Sequence, residues 1–370
     1  NNAGKMKNPN LKEKGAYWDI RVVAVVIVLA MSRTITISSR STIGILAGLL
    51  FSYYCYSKNT KRRSIVSDGE GSSPLPPDKV EALIQEDCDP SIVKGSERCI
   101  VWHEQRGIKT SSCVVFLHGW SACRQECRPV PELLAKALKA NLYCGRLPGH
   151  GGSGTKLLEE ATPSQLQEEA RLAWRVGKSL GDRVVLVGMS TGAALLTWLI
   201  SSVVPENERE EIIKAFILIS PAYALGHPAY PILKSVFYGL RRFPRGWLLE
   251  LVLGGKSKSS PALNEEHEKY TTLTYPTAAL LHLLDVLEDC NMTYDPSKIT
   301  MPTLLVGNPK DNVVNIPLAI DIWTKFQATT KQILCLEATE HPHCIASEIL
   351  SPSTVEQISK NIITFVETSD

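Results

Sequence analysis

From residue 98 to residue 367 the chain alternates short, mostly apolar runs with longer amphipathic segments. "RCIVWHE" (98–104), "CVVFLHG" (113–119), "NLYCGRL" (141–147), "RVVLVG" (183–188), "KAFILIS" (214–220), "PTLLVG" (302–307) and "KQILCLE" (331–337) have the length of strands. The longest of them lack the apolar–polar alternation of a half-solvated strand, so both faces must be covered. Between them, 131–140, 163–181, 191–203, 316–327 and 353–367 read as helices. The segment 163–181 has Pro near its start, acids before bases, and Gly at its stop, the order that helix termini favour. Doubly covered strands alternating with helices imply an α/β fold with a mostly parallel, doubly wound sheet.

The N-terminal fifth is different material. Residues 20–67 contain no Asp or Glu and hold two apolar runs, 22–31 and 43–56. A spanning helix needs roughly 20 apolar residues; the second run comes closer, with Tyr53, Tyr54 and Tyr56 as an interfacial belt. Lys58, Lys61, Arg62 and Arg63 follow, which by the positive-inside rule keeps the downstream domain on the cytoplasmic side. The expectation is a membrane contact through residues about 20–57. The alternatives are a removed targeting segment of an organelle protein, suggested by "SRTITISSRST", and a buried helix of the soluble domain. Three regions follow: 1–57 as hydrophobic anchor or targeting region, 58–79 as a polar Gly/Ser/Pro-rich linker, and 80–370 as the globular domain. At 370 residues, 44% apolar and 21% charged, the chain suits one large, well-filled domain with extras.

Composition excludes several functions. A net charge of +2, without aromatics interleaved among basic runs, gives nothing for nucleic acid. The ten cysteines include no C-x-x-C pair, and Cys123 and Cys127 lack a second pair of ligands, which argues against zinc. Reduced thiols are expected.

The chemistry lies at strand ends. Gly188-Met189-Ser190-Thr191-Gly192 fits G-x-S-x-G between a strand and a helix, the setting in which the serine stands above a sheet's carboxyl edge. The competing role for Ser190 is a helix N-cap. A nucleophilic serine needs a base and an orienting acid, in chain order Ser, acid, His for this architecture. Asp311 lies four residues beyond Gly307, on the loop after a late strand; Asp295 precedes that strand and Asp321 falls in the next helix. After the last strand stand His341 and His343. The apolar "CIA" behind His343 favours it as base, while His341 precedes Pro342 and suits a turn. Two backbone N–H groups must hold the oxyanion: Thr191, after the nucleophile, and Trp120, after His118-Gly119. His118 reads as a brace for its loop. "RLPGHGGSG" (146–154) has no phosphate-loop spacing and reads as a turn, with His150 outside the base role.

Taken in order, "VVFLHGW", "GRLPGHG", "VVLVGMSTG", "LLVGNPKDNVV" and the final His loop resemble the α/β-hydrolase superfamily, in its serine-aminopeptidase and monoglyceride-lipase-like branch. "FLHGWSACRQECRPVPELLAKALKANLY" and "HCIASEILSP" are similar to segments of uncharacterised α/β-hydrolase proteins with an N-terminal hydrophobic segment. The resemblance spans about 90–370. It implies Ser190, Asp311 and His343 as triad and Trp120 and Thr191 as oxyanion hole, with a helical cap inserted before the strand that carries the acid. Ser347-Glu348 replaces a Gly-Asp common in such relatives, and Thr191 replaces Met or Leu.

The cap corresponds to about 224–298, too long for a simple loop. Its 230–255 mixes aromatic, aliphatic and basic residues, as an acyl-binding roof or as packing; 275–290 reads as a helix packed on the main domain. The expected activity is hydrolysis of a carboxylic ester, with lipid or monoacylglycerol as candidate substrate, needing neither metal nor cofactor. The alternatives are a peptidase or amidase on the same triad and a non-catalytic membrane-anchored scaffold; the complete ordered triad argues against the scaffold.

Overall fold

The computed structural model describes residues 73–87, 89–153, 157–228, 255–337 and 339–369, with single positions between 230 and 250. The predicted anchor 1–57, most of the linker and most of the roof segment 230–255 lie outside the described residues. No helix among the described residues is long and apolar enough to cross a membrane.

Among the described residues helix α1 (Pro77–Glu86) comes first and begins inside the stretch read as linker. Strands β1 (Cys99–Val101) and β2 (Thr110–Leu117) follow, then α2 (Val130–Ala137), β3 (Asn141–Cys144), α3 (Pro163–Leu180), β4 (Gly181–Met189), α4 (Thr191–Ser202), α5 (Glu206–Glu211) and β5 (Ile213–Ile219). The insertion holds β6 (Ser257–Ser259), α6 (Glu265–Tyr270), β7 (Thr274–Pro276) and α7 (Leu280–Thr293). The chain ends with β8 (Thr303–Gly307), α8 (Ile316–Thr324), β9 (Lys331–Cys335) and α9 (Val355–Thr368).

The seven-stranded sheet has the order β1-β3-β2-β4-β5-β8-β9. β1 is antiparallel to β3, and every other pair is parallel. Successive side chains leave a strand on opposite faces, and the apolar runs use both. Cys113, Val115 and Leu117 of β2 face one core with Leu186, Phe216, Leu218 and Leu305, covered by α3, α4, α7 and α8. Val114 and Phe116 face the other with Val185, Val187, Ile217 and Val306, covered by α2 and α9. Each such side chain contributes about 1.5–3 kcal/mol when fully buried. Helix α4 is buried along nearly its whole length, from Thr191 to Ser201, which explains why it is apolar on every side.

The register matters most for function. Leu117 pairs with Gly188, Met189 with Ile219, Ile219 with Val306, and Gly307 with Cys335. The loops leaving β2, β4, β5, β8 and β9 therefore emerge along one carboxyl edge. The chain reverses direction across the sheet between β2 and β4, the crevice where open α/β sheets bind ligands.

The insertion is not wholly helical. β6 and β7 form a two-stranded antiparallel ribbon, and α7 sends Leu283, Val286, Leu287 and Cys290 into the main core, as its spacing predicted.

Candidate active site

Ser190 turns the chain from β4 into α4 with φ 52° and ψ −115°. Left-handed backbone at a residue with a Cβ costs on the order of 1–3 kcal/mol and persists only where its surroundings hold it. Here the Ser190 N–H donates to the Ile219 carbonyl (2.9 Å), and the Ser190 carbonyl accepts from Ala222 N–H (3.1 Å). The motif glycines explain themselves sterically. A Cβ on Gly188 would lie 2.5 Å from Ala193 Cα, and one on Gly192 would lie 2.1 Å from the Leu117 carbonyl oxygen. The Ser190 side chain makes no capping hydrogen bond to α4, so its hydroxyl is not used as a helix cap.

Four described non-glycine residues have positive φ, and three of them border this corner: Ser121, Ser190 and Ser220. Ser220, just past β5, hydrogen-bonds the Val306 carbonyl through its N–H and donates its hydroxyl to the His343 carbonyl (2.8 Å). Ile219 and Ser220 thus hold the backbones of Ser190 and His343 from adjacent positions.

Asp311 and His343 meet directly. His343 Nδ1–H donates to Asp311 Oδ2 at 2.7 Å, with the Asp311 side chain fully buried. The other oxygen, Oδ1, accepts from the Val313 and Val314 N–H groups (2.8 and 3.0 Å), which fixes the carboxylate. Nδ1 being occupied, Nε2 is the nitrogen left to serve a hydroxyl. No hydrogen bond among the described residues joins it to Ser190 Oγ, a contact that often forms only with substrate bound. His341 does other work: its Nδ1 accepts the N–H groups of His343 (3.3 Å) and Cys344 (3.0 Å). Burial, and then the neighbouring His343 charge, keep His341 below the usual histidine range.

The β2 loop is set by His118. Leu147 N–H donates to its Nε2 (3.1 Å), so the proton lies on Nδ1 and is given to the Gly119 carbonyl (2.8 Å). Burial, with help from His150, pushes His118 down to about 3 and keeps it neutral. In a planar trans peptide the carbonyl and the following N–H point in opposite directions, so Trp120 N–H is turned away from His118. Among the described residues, neither Trp120 N–H nor Thr191 N–H makes a hydrogen bond, so both donors are left for an oxygen brought to the site. The Trp120 ring packs edge-on against His150, whose Nδ1–H is taken by the Pro148 carbonyl (2.8 Å).

Outer ties hold these loops together. Thr272 N–H in the insertion donates to Ser121 C=O (2.7 Å). Glu348 ion-pairs with Arg128, which also reaches Glu266 of α6, and so joins the His343 loop to the β2 loop. Sequence reasoning missed Glu126, whose carboxylate accepts Gly119 N–H at 2.6 Å. A lone acid between cysteines in the turn Arg124–Cys127 carries no periodic signal that would separate it from a solvated charge.

Residues 114–346 match the Alpha/beta hydrolase family. No curated protein sequence matches the chain. Among solved structures, it is similar to one of two metagenome-derived lipolytic enzymes, LipS and LipT (18% identity, TM-score 0.56, covering 75% of this chain and 99% of that one). It is also similar to Paleococcus ferrophilus monoacylglycerol lipase (16%, 0.52, 74% and 98%). A third is a soluble variant of Saccharomyces cerevisiae monoglyceride lipase (11%, 0.50, 74% and 91%). At these identities the likeness is one of fold, and with the family match over more than half of its length the chain belongs to the alpha/beta hydrolase family.

Proposed function

We propose that the protein is a serine hydrolase that cleaves carboxylic esters through an acyl-enzyme. The observation that carries this reading is the 2.7 Å Asp311–His343 bond on the rim beside a strained serine corner. Ser190 Oγ attacks the acyl carbonyl while His343 Nε2 takes its proton. Asp311 keeps the imidazole in the tautomer that leaves Nε2 free and stabilises the imidazolium. The carbonyl oxygen gathers charge against the Trp120 and Thr191 N–H groups, donors already fixed before reaction. His343 then protonates the departing alcohol, and water, activated by the same histidine, releases the acid.

The lipolytic relatives support acyl esters of lipid type, monoacylglycerols among them, as the substrate class. Residues about 20–57 are proposed to hold the enzyme at a membrane, supported by their apolar runs and basic flank; protease protection of the catalytic domain in intact vesicles tests the side it faces. For the chemistry, a fluorophosphonate probe should label wild-type protein at Ser190 and leave Ser190→Ala unlabelled. Turnover of 4-nitrophenyl and glyceryl esters should fall by about five to six orders of magnitude in that variant. Turnover of aminoacyl amides but not esters would replace the esterase with an amidase; an unlabelled, inert wild type would defeat the hydrolase reading.

A further inference from the structure

We propose that Glu126 is a positioning residue of the oxyanion loop and that its carboxylate, not its protonated form, is competent for acyl transfer. This rests on the serine-hydrolase reading above. Gly119 is held at both ends: its carbonyl by His118 Nδ1 (2.8 Å) and its N–H by Glu126 Oε2 (2.6 Å). The two bonds fix both peptide planes flanking Gly119, and the second plane carries the Trp120 N–H. A Cβ at position 119 would lie 3.0 Å from Glu126 Oε1 and 3.0 Å from Ser190 Cβ. The carboxylate and the nucleophile's own carbon therefore flank the same point, and a side chain there would press on both.

The groups facing Glu126 are few. Cys123 and Cys127 come from its own turn and Cys344 from the last loop, all thiols that burial pushes up and keeps neutral. His343, also from the last loop, is the one that becomes charged. Burial pushes Glu126 up to about 7, against the opposing pull of the Gly119 N–H bond and the His343 charge. The group thus changes charge in the range where such enzymes work. Acyl transfer converts His343 to an imidazolium. A carboxylate nearby stabilises that cation, and its hydrogen bond from Gly119 is charge-assisted, roughly twice as strong as a neutral one. Protonating Glu126 weakens both effects. Reaction then draws on a neutral His343 as base and on an ionised Glu126.

The test is the rate at which a fluorophosphonate labels Ser190 in the full chain between about pH 5 and pH 9. In this step the Ser190 Oγ–P bond forms, the P–F bond breaks, fluoride leaves, and His343 takes the hydroxyl proton. On the acid side of the profile, the wild-type log rate should fall with a slope of about 2 per pH unit. Glu126→Gln keeps an acceptor for Gly119 N–H but carries no charge and does not titrate: its slope should be about 1, and at high pH it should label at least about tenfold more slowly than wild type. Glu126→Asp titrates but is too short to reach Gly119, so it should keep the steep slope and label about tenfold slower at every pH. A wild-type slope of 1, an unchanged slope or full speed at high pH in the Gln variant, or full speed in the Asp variant overturns the proposal while the hydrolase reading stands. Should Glu126→Gln fail to fold, the wild-type slope and the Asp variant decide. A wild type that is never labelled overturns both readings.

Discussion

His341 and His343 stand two residues apart in one loop and differ in what their rings can reach. His343 Nδ1 is bound to Asp311, and His341 Nδ1 is turned onto the N–H groups of His343 and Cys344. His341→Ala removes an acceptor for two backbone donors and should cost about 1–3 kcal/mol of stability with only a modest loss of kcat. His343→Ala should remove about four orders of magnitude or more in kcat with little change in melting. Melting curves and ester turnover on both variants check this; inactivity of the His341 variant at full stability would exchange the two roles. That His343 and not His341 meets Asp311 was legible in the sequence, from chain order and the apolar stretch after His343. Glu126 was not legible. Its meaning comes from a hydrogen bond to a glycine seven positions earlier in a tight turn, and no spacing rule records such a contact.

At the scale of elements, strand register does the assembling. Because Leu117 lies beside Gly188 and Met189 beside Ile219, the loops of β2, β4 and β5 open side by side, and α4 begins close under the end of β2. That approach leaves no room at Gly192, where a Cβ would fall 2.1 Å from the Leu117 carbonyl oxygen and 2.8 Å from that of His118. Gly192→Ala should therefore push α4 off β2, spread the Thr191 and Trp120 N–H groups, and destabilise the fold by about 3 kcal/mol or more. Denaturant unfolding and fluorophosphonate labelling should decline together; an unaltered midpoint with normal labelling would show that the contact yields easily. The long strands were readable because burial on both faces leaves an unbroken apolar run. The β6–β7 ribbon was not, since Ser257–Ser259 is exposed throughout and carries no apolar alternation. β1, too, declares only its existence: three residues of mixed burial do not say that it runs antiparallel to β3.

For the molecule as a whole, the question is where the catalytic domain starts, and a buried ion network answers it. Reading polarity alone places the boundary near residue 80. In the structure Leu75 and Val80 already belong to the core, Arg175 and Ser179 of α3 donate to the Ser73 and Leu75 carbonyls, and Asp87 lies at the centre of a charged cluster. Both Asp87 oxygens bind Arg146 (2.8 Å each), and Arg98 N–H donates to Oδ2 (2.8 Å). Arg98 reaches on to Glu169 (3.2 Å). Arg146 in turn donates to the His150 carbonyl (3.0 Å), so the segment before β1 steadies the turn against which Trp120 packs. Burial raises the Asp87 carboxyl, but the Arg146 and Arg98 bonds outweigh it and leave the pKa lowered. The carboxylate's contribution is therefore present at neutral pH and is lost as pH falls through that lowered value. A chain beginning at Ser73 keeps every member of the cluster and should fold and react with fluorophosphonate like the full-length protein. One beginning at Pro90 strips the arginines of their central anion and should lose about 3–5 kcal/mol, the cost of breaking a buried pair from one side. Asp87→Asn in the longer chain should reproduce much of that loss at pH 7 and narrow its gap to wild type as pH falls below the ordinary carboxylate range and the lowered Asp87 carboxyl takes up its proton. Equal unfolding midpoints for the two truncated chains would mean that the domain starts after the cluster and that the ion pairs merely decorate it.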